Sequence, residues 1–515
     1  MSWVPPTPAE IIARGARDAV PVAHDDAMLF AEFAGAFVSA HDNVERWHAE
    51  TTPAPPRRIW RRPAADENPY NGWYVMGAVE GANDGSLSDL SWVAKSNVAV
   101  AGWPMSAGSR LIVGYVPFED ATAVRRLLAA GASLRGTANS EDLGLSAASH
   151  TSALGPVRNP WQQTHGTFGS SSGCAALVSG GLVDFALGAD QAGSVRLPGS
   201  GTGLVAHKPS RGLVSYAGTM PFTVAQDSLG VLARDTPTVA RVMDALCARD
   251  GRDLRQGPAT PEIDWFGALD DGPRGLRIGL LQESFSISSL SDPAVDETVR
   301  SCVEQLVKFG ATVTEISVPE HARGVDLAMM LTLKAGVPDL LSGNGGSAQT
   351  VAHGDPELVA HFARQMSAFP QHLADTVRLS LTAGTHDGDR PAGWYLAAAM
   401  RLIGLLVDAY DRALETVDVL ITPTAPFLPR PLPDEQTSRA EWIGSALDMI
   451  VNTCSANLTG HPATQVPAGI VRGLPVGLQV IAAVGADDLC LRVARSLEAA
   501  AGGFPSPPIH LQGLA

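Results

Sequence analysis

Cysteine is scarce in this chain: there are five in 515 residues, an odd count. They stand at Cys174, Cys247, Cys302, Cys454 and Cys490, and no CxxC pair occurs. That pattern argues against a disulfide framework and a zinc ribbon, and reduced thiols in a cytoplasmic protein are expected. Basic residues are also in deficit. Lys and Arg total 37 against 53 Asp and Glu, a formal net charge of −16. Such a chain matches a phosphate backbone poorly, so no nucleic-acid partner is expected. Long apolar runs are missing as well. The best, Leu396 to Leu406, is broken by Arg401 and closes on Asp408, so no membrane span is expected. The opening MSWVPPTPAEII lacks a basic stretch followed by an apolar one, which argues against a signal peptide. His353, Asp355, His361, His386 and Asp389 match no metal-ligand spacing, and neither a metal nor a cofactor is expected.

What is present is globular: 45% hydrophobic and 17% charged residues supply a core and argue against disorder. Thr7-Pro8-Ala9-Glu10 predicts a capped helix. Asp25-Asp26 opens a second, with Met28, Phe30, Phe33 and Phe37 at helical spacing. Residues 51–70, rich in proline and arginine, read as a linker whose RRIWRR cluster packs on the acidic body. From about residue 75 the pattern turns α/β. Strands are expected at Leu90–Ala94, Val98–Ala101, Ala132–Arg135, Phe185–Gly188, Leu276–Leu281, Thr312–Ile316 and Val419–Ile421. Helices are expected at Asp120–Ala130, Pro293–Phe309 and Ala486–Ala501, with a hairpin at 464–482. The βαβ order predicts a mixed or parallel sheet covered by helices. The mostly helical stretch 320–417, with Phe168 and the Thr422-Pro423-Thr424 loop, is expected to shape a pocket. Gly343, Gly345 and Gly346 form its hinge.

Two serines stand in glycine-flanked loops, Ser170 and Ser194, and neither has a histidine beside it. A serine without a base is a poor nucleophile. Lys95, in the apolar segment WVAKSNVAVAG, is the best candidate base, because burial disfavours its ammonium form. Small residues before Ser194 let successive N–H groups of Gln191, Ala192, Gly193 and Ser194 converge on one oxygen, as an oxyanion hole requires. Nearby motifs carry weaker signals. Gly169–Gly173 satisfies GxSxG with Ser171 as nucleophile, but no strand precedes it. Gly199–Gly203 before Lys208 lacks the phosphate-loop spacing and reads as backbone packing. Cys174 reads as a small apolar residue.

The segments AKSNVAVAGWPMSAGS, GPVRNPW, GSSSGCAA, GADQAGSVRLP, HKPSRGLV and LTGHPATQVPAG, in that order, resemble the amidase signature family over about residues 70–505. The resemblance is nearest to bacterial enantioselective amidases with a helical N-terminal domain. It implies an α/β/α sandwich around a large mixed β-sheet. Residues 1–68 would be the helical domain and linker, and 69–515 the amidase-signature domain with a catalytic core at about 75–250. It implies a triad of Lys95, a cis-peptide Ser170 and the nucleophile Ser194. Gln191, Ala192, Gly193 and Ser194 would be oxyanion donors, with Asp190 and Arg196 as loop supports. The expected activity is hydrolysis of a small-molecule amide. Amide-forming acyl transfer and a degenerate binding scaffold are the alternatives. A homodimer through the N-terminal helices is expected by analogy. The chain departs from the family's KDN at Ser96, from its GGSSGG at Phe168, and from its GGS at Ala192. Phe168 would then bring bulk to the mouth of the site. Ala192 would strain the loop wherever a positive φ is needed.

Overall fold

A computed structural model of the chain describes residues 4–258, 263–267, 269–343, 354–391 and 393–508. Residues up to Pro56 form one unit and those from Arg57 another. In the first, Thr7 and Glu10 close a capping box on helix α1 (Pro8–Arg17). Helix α2 (His24–Thr51) carries Asp25 and Asp26 in its first turn, where the helix dipole favours acid. Its Met28, Phe30, Phe33, Phe37 and Trp47 are exposed.

The second unit holds one mixed twelve-stranded sheet. In chain order the strands are β1 (Trp60–Arg61), β2 (Trp73–Val79), β3 (Ser91–Lys95), β4 (Ser133–Ala138), β5 (Phe185–Asp190) and β6 (Val205–Lys208). They continue with β7 (Ser228–Ala233), β8 (Arg277–Leu281), β9 (Thr312–Ile316), β10 (Val419–Pro423), β11 (Ala463–Val471) and β12 (Leu474–Ala482). Across the sheet they run β1-β2-β4-β3-β5-β7-β6-β11-β12-β10-β8-β9. β3 is parallel to both β4 and β5, whereas β7 lies antiparallel to β5 and β6.

Alternate residues feed opposite faces, the period-two rule of a strand. Trp92 and Ala94 of β3 and Leu187 of β5 enter a core with Leu127 of α3 (Thr122–Ala129). Val93 and Ala186 face the other way, onto Cys174 and Leu177 of α4 (Ser172–Ser179). At the far end of the sheet, Ile421 and Val480 pack on one side with the helices Pro293–Lys308 and Asp487–Ala501. Leu420 and Ile481 pack on the other with Gly324–Leu331 and Trp394–Thr416. Both faces are covered, and the architecture is the α/β/α sandwich. Each large apolar side chain buried this way contributes about 1.5–3 kcal/mol.

Some local expectations give way. Val98–Ala101 is not a strand; it runs irregularly, and Val98 alone of the four bridges Thr219. Within the expected linker, Trp60–Arg61 pairs with β2 as an edge strand. The basic cluster there packs on acid: Arg58 grips Asp120 at 2.6 and 2.8 Å. The hairpin forms through Arg472 and Gly473, both at positive φ, as a tight two-residue turn requires. Strands β6 and β7 carry no alternation because they are buried on both faces, and β2 is buried over Trp73–Val75 and partly exposed beyond. Gly345 and Gly346, expected as part of a hinge, lie outside the described residues, as does His353.

Candidate active site

β3 and β5 are parallel neighbours, pairing Trp92 with Phe185 and Ala94 with Leu187. Their carboxyl ends therefore set Lys95 and Asp190 on the same edge of the sheet, where α/β folds place ligands. Lys95 is 2% exposed. Its Nζ donates to Ser170 Oγ at 2.7 Å and to Ala189 O at 3.3 Å. Burial disfavours the ammonium and pulls the lysine down to about 8.

Ser170 and Ser171 precede α4, and the Gly169–Ser170 peptide is cis. The Ser171 N–H donates to Ser194 O at 3.1 Å, which ties the two serine loops together. Ser171 is fully buried and its hydroxyl donates to Ala189 O at 3.2 Å, so it has no access to a substrate.

The loop after β5 is built on Asp190. Its carboxylate accepts the Gly193 N–H at 2.7 Å and the Val195 N–H at 3.1 Å. Arg196 grips the same carboxylate through Nε at 3.0 Å and Nη2 at 2.9 Å. Burial raises the Asp190 carboxyl, but the Arg196 charge and the hydrogen bonds of Arg196 and Asn457 outweigh it and hold the group well below the usual carboxylate range. Two expectations are corrected here. The Gly193 N–H is engaged by Asp190, which leaves the N–H groups of Gln191, Ala192 and Ser194 as the candidate oxyanion donors. Ala192 is not at positive φ; Gly193 is, at +130°, and glycine stands where the turn needs it.

A third correction concerns Phe168. Its side chain is buried, 6.0 Å from the Phe427 ring and clustered with Leu197 and Met449. It sits at φ +62°, an unusual setting for a bulky residue, held by this packing. A narrow cleft, with a cavity volume of about 20 Å³, opens at Lys95. Asn97, Ser140 and Gln191 line it with Leu143, Met220, Phe222 and Leu340. Among the described residues of the expected pocket-forming region, Leu340 lines it, and Thr422 and Thr424 are buried elsewhere.

Residues that sequence reasoning missed hold this loop from a distance. Thr453 Oγ1 donates to Ala192 O at 2.5 Å, and its carbonyl accepts from Arg196 at 2.9 Å. Asn457 Oδ1 accepts from Arg196 at 2.6 Å. Gln479 also accepts from Arg196. The only signal was the run of small polar residues Asn452-Thr453-Cys454-Ser455-Ala456-Asn457 in an otherwise apolar stretch.

Other candidates resolve into structural roles. Asp355 caps the helix Pro356–Ala368. Gly199 lies close enough to β6 that a Cβ would meet Ala206 at 2.6 Å. His207 bridges Asp487 and Thr464 in an order that resembles a hydrolase triad, but all three are fully buried. Among the described residues no group of three or more His, Cys, Asp or Glu side chains is gathered to hold a metal, and no described helix is long and apolar enough to cross a membrane.

Comparison with known proteins defines the class. The Amidase family model matches residues 76–491, and the chain belongs to this family. It is 39% identical over 467 residues to an enantioselective amidase of Rhodococcus rhodochrous, covering 90% of each chain. It is 33% identical to a glutamyl-tRNA(Gln) amidotransferase subunit of Symbiobacterium thermophilum, covering 80% of this chain and 82% of the relative. The corresponding Thermotoga maritima protein superposes with a TM-score of 0.70 at 27% identity, covering 85% of this chain and 91% of that one.

Proposed function

We propose that this chain hydrolyses small carboxylic amides through Lys95, Ser170 and Ser194 and an acyl-enzyme. The observation that carries the proposal is a buried lysine, poised to lose its proton, 2.7 Å from a serine whose loop is bonded to the loop of Ser194. Neutral Lys95 accepts the Ser170 proton while Ser170 Oγ accepts that of Ser194. Ser194 Oγ attacks the amide carbon, and the loop N–H groups receive the oxyanion. The C–N bond breaks, and the proton held by Lys95 returns through Ser170 to the departing nitrogen. Water then gives a proton to the same relay and attacks the acyl ester. Ser194 recovers that proton as the acid leaves.

The apolar lining of the cleft, Leu143, Met220, Phe222 and Leu340, supports an uncharged acyl group. A second reading, transfer of the acyl group or of the released nitrogen to another acceptor, is favoured by the likeness to an amidotransferase subunit. The net charge of −16 speaks against this chain contacting tRNA itself. Glycine at position 193, where the loop needs it, speaks against a degenerate scaffold. The exposed apolar residues of α2 support a homodimer through the N-terminal helices, which light scattering would read as twice the chain mass. Five unpaired thiols suit a reducing cytoplasm.

Intact mass after phenylmethanesulfonyl fluoride tests the mechanism. A single adduct on Ser194, lost in Ser194→Ala, Ser170→Ala and Lys95→Ala, is expected. A folded wild type that takes no adduct overturns it. Product analysis with and without an added amine separates hydrolysis from transfer.

A further inference from the structure

The segment that grips the oxyanion loop is itself held by a residue 131 positions away, His321. His321 lies on the short turn Pro319–Arg323, is 2% exposed and does not line the cleft. Its Nε2 is 3.3 Å from Asn452 Oδ1, and its Nδ1 is 2.6 Å from the Tyr410 hydroxyl. The Asn452 amide nitrogen already donates to Ser284 O at 3.1 Å and Pro423 O at 2.9 Å. Asn452 Oδ1 can only accept, so His321 Nε2 must carry the proton, and Nδ1 must accept from Tyr410. Burial favours that neutral ring.

From Asn452 the contacts lead to the loop by two short routes. Its backbone carbonyl accepts from Gln479 Nε2 at 3.0 Å, and Gln479 in turn accepts from Arg196. Its neighbour Thr453 bonds both Ala192 O and Arg196. Every member of this chain of contacts is buried, apart from half-buried Ala192. We propose that His321, as the Nε2–H tautomer, is a positioning residue for the oxyanion loop, acting through Asn452. The inference rests on the acyl-enzyme reading above. It explains why a histidine, and not an apolar residue, fills a core site between Tyr410 and Asn452.

The test is saturation kinetics of Ser194 sulfonylation by phenylmethanesulfonyl fluoride, with the melting temperature of each variant. For His321→Ala the maximal labelling rate is expected to fall about tenfold to a hundredfold, because a misplacement near 1 Å costs about that much. The half-saturating concentration should stay within about threefold, since a loop used mainly in the transition state changes rate and not binding. His321→Gln keeps an N–H donor toward Asn452 and should recover to within about fivefold of wild type. His321→Ala combined with Asn452→Ala should be no slower than Asn452→Ala alone, the mark of a shared route.

A folded His321→Ala with the wild-type maximal rate overturns the inference, as does a His321→Gln no faster than His321→Ala. A loss confined to half-saturation overturns it too. If His321→Ala does not fold, Tyr410→Phe stands in. It removes the hydroxyl that fixes the tautomer, and an unchanged maximal rate there overturns the inference. A wild type that takes no label overturns the acyl-enzyme reading itself, a failure seen before any variant is compared.

Discussion

The side-chain amide of Asn457 donates both to the backbone carbonyl of Asp190, at 2.9 Å, and to its carboxylate, at 3.0 Å, across 267 residues of chain. This contact, with Arg196 bonded to both residues, makes the Asp190–Arg196 loop and the Asn452–Asn457 segment one buried ionic unit. Asp190→Asn leaves the Arg196 charge without its partner and should cost about 3–5 kcal/mol. Asn457→Ala should cost about 1–3 kcal/mol through acceptors left unmet. Denaturant unfolding of both variants checks the order.

Under the proposed mechanism activity should rise with pH through about 8, because that mechanism uses neutral Lys95 and burial has brought the lysine down to about 8. The second-order rate of Ser194 sulfonylation, measured from pH 6 to 10, should titrate once and then level. A flat profile would remove Lys95 from the role of base.

The same burial makes Lys95 a stability cost. A folded-state value near 8, below the ordinary 10.5, means the folded chain resists protonation. The cost is fully present below pH 8 and shrinks as pH rises from 8 toward 10.5. It is on the order of 3 kcal/mol, less what the Ser170 bond returns. Lys95→Met should therefore be inactive yet more stable at pH 7 by about 1–3 kcal/mol, with the gain gone near pH 10.5. Melting curves at the two pH values decide this.

Gly193 and Ala192 should respond in opposite ways. A Cβ on Gly193 would meet Thr453 Oγ1 at 2.2 Å, at a φ of +130°. Gly193→Ala should lower the sulfonylation rate about a hundredfold. Ala192→Gly relieves nothing, since its φ is not positive, and should stay within about threefold.

Phe168→Gly removes an aromatic ring from a packed cluster, worth about 3–5 kcal/mol, and returns about 1–2 kcal/mol of backbone strain. A net loss of about 1–4 kcal/mol is expected by denaturant unfolding. Because the ring lies outside the cleft, the half-saturating sulfonyl fluoride concentration should stay within about twofold. A large drop there would return Phe168 to the mouth of the site.

Elements with strong local chemistry were legible. The Thr7–Glu10 capping box and the helix opened by Asp292 and Pro293 carry their signals within a few residues. Strands such as β7, buried on both faces, were not, because their side chains answer to two cores and show no period. Within the candidate site, Lys95, Ser170, Ser194, Asp190 and Arg196 stand out in sequence as a polar set in glycine-rich or apolar surroundings. Thr453, Asn457, Gln479 and His321 do not. The contacts that tie them to the loop or its support span 131 to 283 residues, and nothing local distinguishes them from ordinary buried polar groups.

The family, the α/β class and the ordered set of serine and lysine motifs follow from the order of residues alone, because they depend on residue type and local spacing. The folded chain was needed to show that Asp190 takes the Gly193 N–H and that Phe168 is packed in a core cluster. It was needed again to show that a histidine far from the cleft is bonded to the segment that holds the loop. Those outcomes depend on where a carboxylate, a ring and an amide meet in space. The strand order of a twelve-stranded sheet sets such meetings, and residue type does not.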